Sequence, residues 1–166
     1  MSRALFILDP QNGWKHPAID PVFSGIPPFA KKFDGLVMIT KFVNAPNSPF
    51  KKHLDWDRFS DDTDHSLIEG YAELSDNLFE HNTYGCLNED VKELLNANSI
   101  RQVYLAGVFT DVCVAMTAMQ LFDEGFEPFV IKDLVGTLHG GYVHDATLKS
   151  LNFIIGARHL VRSTDF

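Results

Sequence analysis

Long apolar runs are missing from this chain. The longest, such as Ala4–Leu8, fall far short of the ~20 residues that span a bilayer. The opening Met-Ser-Arg-Ala-Leu-Phe-Ile-Leu-Asp-Pro lacks the apolar length and the small-residue cleavage site of a secretory signal. A soluble, cytoplasmic protein is therefore expected. Basic patches are missing too. The net charge is −8, and the densest basic clusters, Lys31-Lys32 and Lys51-Lys52, make no stripe. Binding to nucleic acid needs basic groups that displace counterions, so nucleic acid and anionic membranes are not expected as partners. Cysteine is scarce. Cys86 and Cys113 carry no CxxC or zinc spacing, and two thiols without a secretory signal are expected to be reduced. No Gly-rich loop follows the first apolar run, which argues against a phosphate-cradling flavin or nucleotide domain.

What remains is an ordinary globular composition. A chain of 166 residues with 45% hydrophobic side chains suits one domain, 1–166. Short runs that are nearly continuous in apolar residues, rather than alternating, read as strands covered on both faces. They fall at Ala4–Leu8, Leu36–Thr40, Asn77–Glu80, Gln102–Val108, Pro128–Lys132 and His159–Val161. Helices fit between them. Asn88–Ala97 opens on a capping Asn and an acidic first turn. Asp111–Glu124 closes at Gly125, a left-handed cap. Val143–Phe153 is a third. The alternation predicts an open, doubly wound parallel α/β sheet with helices on both faces, a Rossmann-like three-layer α/β/α arrangement. The polar stretch from Asn44 to Ser75 breaks the rhythm. It reads as a covering loop, packed through Trp56 and Phe59, with a short helix around Leu67–Tyr71.

In such a sheet, ligands bind at the carboxyl ends of the strands. Asp9 ends the first strand, His81 follows the third, Cys113 follows the fourth, and Asp133 ends the fifth. A carboxylate, a cationizable ring and a thiol on one edge point to nucleophilic catalysis. Cys113 falls in the first turn of a helix, where the dipole and free N–H groups stabilise a thiolate and could hold an oxyanion. The same position suits a small buried hydrophobe between Val112 and Val114. Cys86 reads as packing. His53, His65 and His139 read as loop residues, and His16, His144 and His159 show no role. His53, Asp55, Asp57 and His65 could supply metal ligands, but their segment reads as a solvated acidic loop. No metal and no cofactor are expected.

Two segments resemble a known family. Ala-Leu-Phe-Ile-Leu-Asp-Pro-Gln-Asn-Gly (4–13) is similar to the opening of isochorismatase-like cysteine hydrolases. Leu-Ala-Gly-Val-Phe-Thr-Asp-Val-Cys-Val (105–114) is similar to their nucleophile motif, and the likeness runs along almost the whole chain. The resemblance implies a triad of Asp9, a Lys and Cys113. The Lys position holds His81, in Phe-Glu-His-Asn-Thr-Tyr-Gly-Cys (79–86). It also implies a cis peptide at Val108–Phe109 and oxyanion donors at the backbone N–H groups of Phe109 and Cys113. Trp14, Phe42 and Phe109 would line the pocket, which suits a small, flat or apolar substrate. The metal-binding Asp-x-His of nicotinamidases is missing. The expected activity is cleavage of a C–N bond in a small amide or ureide. A thiol nucleophile favours this over vinyl-ether cleavage of isochorismate, which needs none. The alternative is a catalytically silent relative acting by small-molecule binding or assembly, since His81 replaces the Lys. With an ordinary pKa near 6.5, the charge of His81 is conditional, although Asp9 and a thiolate would favour its protonated form. Homo-oligomers, dimers or larger, are expected from the resemblance.

Overall fold

The computed structural model describes residues 2–166, apart from the side chain of Asp62. Six parallel strands form one sheet in the order β3-β2-β1-β4-β5-β6. They are β1 (Arg3–Leu8), β2 (Leu36–Phe42), β3 (Leu78–His81), β4 (Gln102–Val108), β5 (Glu127–Gly136) and β6 (Leu160–Val161). The reversal of direction in strand order lies between β1 and β4, paired from Arg3–Gln102 to Leu8–Gly107. Side chains of β1 alternate between two cores. Ala4, Phe6 and Leu8 join one with α4 (Glu89–Ala97), α5 (Ala115–Asp123) and α6 (Gly141–Ile154). Leu5 and Ile7 join the other with α1 (Asp20–Ala30). Both faces are thus covered, which is why the central strands are largely apolar.

Several local readings need correction. The helix α1 was not expected. Pro21 sits in its first turn, where a missing N–H costs nothing, but Gly25, Pro27 and Pro28 mask its periodicity. Its buried residues Phe23, Ile26 and Ala30 still recur at helical spacing. Strand β5 runs to Gly136, well past Lys132. Pairing passes from Leu105–Val130 to Gly107–Val135, so an irregularity takes up the extra residues. Asp133 therefore lies within the strand and not at its end. Its carboxylate accepts hydrogen bonds from the N–H and hydroxyl of Ser163, away from the other candidates.

The covering segment carries α2 (Pro49–Leu54) and α3 (Asp62–His65), and no helix at 67–71. Leu67 instead bridges Gln11. Trp56 and Phe59 do pack: Trp14 stacks on Phe59 at 3.9 Å between ring centroids, and Trp56 lies 5.8 Å from Phe42. Among the described residues, no helix is long and apolar enough to cross a membrane.

Candidate active site

The three candidates from the sequence meet at the carboxyl edge of the sheet. Asp9 follows β1 with a left-handed backbone, φ 53°, and is buried. The close approach of β4 beside it requires glycine. Gly107 has φ 116°, and a Cβ there would sit 2.1 Å from the Leu8 carbonyl oxygen. His81 ends β3, and pairing with Phe42 sets its position. Cys113 lies in a wide π-helical turn, Thr110–Val114, rather than in the first turn of an α-helix. The turn begins where the Phe109 carbonyl accepts the N–H groups of Val112 and Val114 at 3.1 Å each. The Val108–Phe109 peptide is cis, as the resemblance implied.

Hydrogen bonds fix the charge on His81. Its Nε2 lies 2.8 Å from Asp9 Oδ1, and its Nδ1 lies 2.8 Å from the Thr83 carbonyl oxygen. Both partners only accept, so both ring nitrogens must donate, and the ring is an imidazolium. Burial pulls its pKa down, but the Asp9 carboxylate and the Cys86 sulfur outweigh that and raise it to about 11. The charge is therefore held across the neutral range. Thr40 Oγ1 donates to the same Asp9 oxygen at 2.9 Å. Asp9 Oδ2 is buried and has no hydrogen-bond partner.

Cys86 packs in the core and also touches the candidate cluster. It is fully buried, as packing requires, but its Sγ lies 3.4 Å from His81 Nε2. Ligating atoms of Asp9, Cys86 and Cys113 all lie within 4.8 Å of one another. The Cys86 N–H donates to Thr117 Oγ1 at 3.0 Å, which ties its loop to α5. Gly85 permits this, since a Cβ there would sit 2.2 Å from the Gln120 side chain. The two sulfurs lie close enough to influence each other's ionisation. Burial pushes the Cys86 thiol up, but the hydrogen bond from Cys113 and the imidazolium outweigh it and bring it to about 6. The Cys113 thiol is raised by its hydrogen bond to Cys86, by burial and by the Asp9 charge.

A cavity of about 440 Å³ opens onto this cluster. Trp14, Phe42 and Phe109 line it as expected, together with Trp56, Tyr84 and Leu138. Asp9 and Cys113 face it, while Cys86 and His81 lie behind them, away from its wall. The Trp14 indole N–H is buried without an acceptor. His139, read as a loop residue, also lines the cavity, with Nδ1 2.6 Å from Asp111 Oδ2. Its sequence position carries no signal, because the fifth apolar run reads as ending at Lys132 whereas β5 runs to Gly136. His144 contacts Thr110 Oγ1 at 2.9 Å and braces the turn. Of the acidic-loop residues, Asp57 pairs with Lys51 at 2.9 Å, and the His65 ring hydrogen-bonds the Phe59 carbonyl. Neither takes part in the cluster.

Comparison with known proteins places this geometry. The Isochorismatase domain family matches residues 3–159. Probable hydrolase YcaC of Escherichia coli (strain K12) is 32% identical over 110 residues, covering 66% of this chain and 47% of that protein. Nicotinamidase 3 of Arabidopsis thaliana is 33% identical over 87 residues, covering 52% of this chain and 43% of that protein. The chain spans about half the length of the curated relatives it matches. An isochorismatase-like hydrolase from Alkaliphilus metalliredigens shares the fold, with a TM-score of 0.86 at 14% identity over 99% of this chain and 97% of that one.

Proposed function

The chain belongs to the isochorismatase family, and we propose that it is a cysteine hydrolase that cleaves a C–N bond in a small amide or ureide. The observation that carries this reading is the division of the two thiols. Cys113 faces the cavity, whereas Cys86 is buried behind it. The pKa directions alone would favour Cys86, but a nucleophile must reach the substrate, so access decides for Cys113. Asp9 acts as base, its unpartnered Oδ2 accepting the Cys113 proton. The thiolate adds to the carbonyl carbon. The N–H groups of Phe109 and Cys113 hold the resulting oxyanion. As the tetrahedral adduct collapses, the C–N bond breaks, and the leaving nitrogen takes the proton back from Asp9. Water then releases the acid and frees the thiol.

His81 takes the part of the family's Lys. Its imidazolium neutralises Asp9 and sits beside the Cys86 sulfur, so a thiolate can form there without facing an unpaired carboxylate charge. The aromatic cavity fits a small, flat or apolar acyl group. The name of Nicotinamidase 3 supports an amide as substrate class. A cytoplasmic setting, where thiols stay reduced, suits this chemistry. On α6, Tyr142 and Phe153 are 86% and 85% exposed, which supports assembly into a homo-oligomer through that face.

The test is ammonia release from a panel of small primary amides and ureides. Turnover should appear with at least one class and fall by more than about 100-fold in Cys113→Ser and in Asp9→Asn. Turnover that survives Cys113→Ser would overturn the assignment. Binding of amides without turnover would favour the silent relative.

A further inference from the structure

We propose that Asp9, Cys86 and Cys113 form a three-ligand site for a thiophilic divalent cation, zinc above all, and that the metal shuts the active site reversibly. The donor set is the first argument. Two sulfurs and a carboxylate oxygen lie within 4.8 Å of one another. Tetrahedral zinc, with Zn–S near 2.3 Å, needs its sulfurs about 3.8 Å apart. The donors therefore need to close by only about 1 Å. Soft thiolates select zinc over magnesium or calcium, which take oxygen ligands.

The second argument is the carboxylate. Asp9 Oδ2 is buried without a hydrogen-bond partner, on a side chain only 1% exposed. A buried carboxylate oxygen left unpaired is costly, and a cation would satisfy it. The other oxygen is held by His81 and Thr40. Their hydrogen bonds orient the carboxylate as outer contacts orient metal ligands. Charge also balances. Two thiolates and one carboxylate carry −3, which a divalent cation and the His81 imidazolium cancel. Because Asp9 and Cys113 line the cavity, the fourth position opens to solvent.

Binding forms two Zn–S bonds and one Zn–O bond, and any proton held by either thiol leaves to solvent. The Cys113 sulfur and the free oxygen of Asp9 are then both occupied. Inhibition rests on the roles proposed above for these residues, but metal binding does not.

The experiment uses the full chain, reduced with a phosphine and stripped of metal, titrated with Zn²⁺ and separately with Co²⁺. One ion per chain should bind. Cobalt should show a thiolate-to-metal charge-transfer band, and zinc should protect Cys113 from iodoacetamide until a chelator is added. In Cys86→Ser, zinc should bind more than about a hundredfold more weakly, beyond the loss of an outer contact. A cobalt spectrum without the thiolate band would overturn the proposal, whether or not the variant folds. So would unchanged zinc affinity in Cys86→Ser, or no binding at one ion per chain. Amide turnover is scored separately: a protein that binds zinc through both thiols but turns over no amide sinks the hydrolase reading and leaves the metal site standing.

Discussion

Cys86→Ser should change how stability responds to pH, because it removes one of two titrations that oppose each other. The folded pKa of His81 is raised from 6.5 to about 11. Its contribution to stability is complete below pH 6.5 and is lost as pH climbs towards 11. The folded pKa of Cys86 is lowered from 9.0 to about 6. Its contribution is complete above pH 9.0 and is lost as pH falls towards 6. Between 6.5 and 9.0 the native state holds the His81 proton that the unfolded chain has shed, and lacks the Cys86 proton that the unfolded chain keeps. Each titration has a slope of up to about 1.4 kcal/mol per pH unit, with opposite signs. The wild-type protein should therefore show a plateau across this window.

In Cys86→Ser the hydroxyl does not titrate, and the Asp9 carboxylate still holds the His81 proton. Cys113 does not take over the role, because burial and Asp9 still hold its thiol up. Stability should fall steadily from pH 6.5 to 9.0, by up to about 3 kcal/mol in all. Urea unfolding at half-unit pH intervals would measure it, with the slope m constant as a check that the two states are unchanged. A serine variant as flat as wild type would refute the reasoning, because the imidazole and the Cys86 sulfur would then not be coupled.

Other outcomes follow from the same geometry. His81→Ala leaves Asp9 buried without its cation and should cost about 3–5 kcal/mol at pH 7 by urea unfolding, with His81→Lys recovering most of it. Iodoacetamide labelling with peptide mapping should modify Cys113 before Cys86, since only Cys113 faces the cavity; earlier labelling of Cys86 would reverse the assignment. Gly107→Ala brings a Cβ to 2.1 Å from the Leu8 carbonyl at a φ of 116°. It should cost more than about 1 kcal/mol and shift Asp9, detectable as a loss of amide turnover exceeding the loss of folded protein. Phe153→Glu should lower the sedimentation coefficient if α6 joins two copies, and an unchanged value would remove that face from the assembly.

The sheet was legible because burial on both faces leaves a plain mark in sequence. Runs such as Val103–Val108 have no reason to be nearly continuous in apolar residues unless both sides are covered. Asp9 and Cys113 were legible for the complementary reason: one directly follows such a run and the other lies in the turn after one, at the edge where a parallel sheet binds ligands. The helix α1 was obscured because proline and glycine speak against helix locally, while the packing of Phe23, Ile26 and Ala30 decides the outcome. Asp133 was misplaced because the end of an apolar run is not the end of a strand when the pairing shifts register. Cys86 shows a deeper limit. Its packing role holds, since it is fully buried in the core, but packing is not all it does. A buried thiol is inert only in apolar surroundings. Beside an imidazolium held by two acceptors, the same burial strengthens the electrostatic coupling. That environment is built by Asp9, Thr83 and the tether from Thr117 to the Cys86 backbone. These residues are far apart or unremarkable along the chain. The side chain that most alters the chemistry of Cys113 therefore became visible only through contacts that the fold creates.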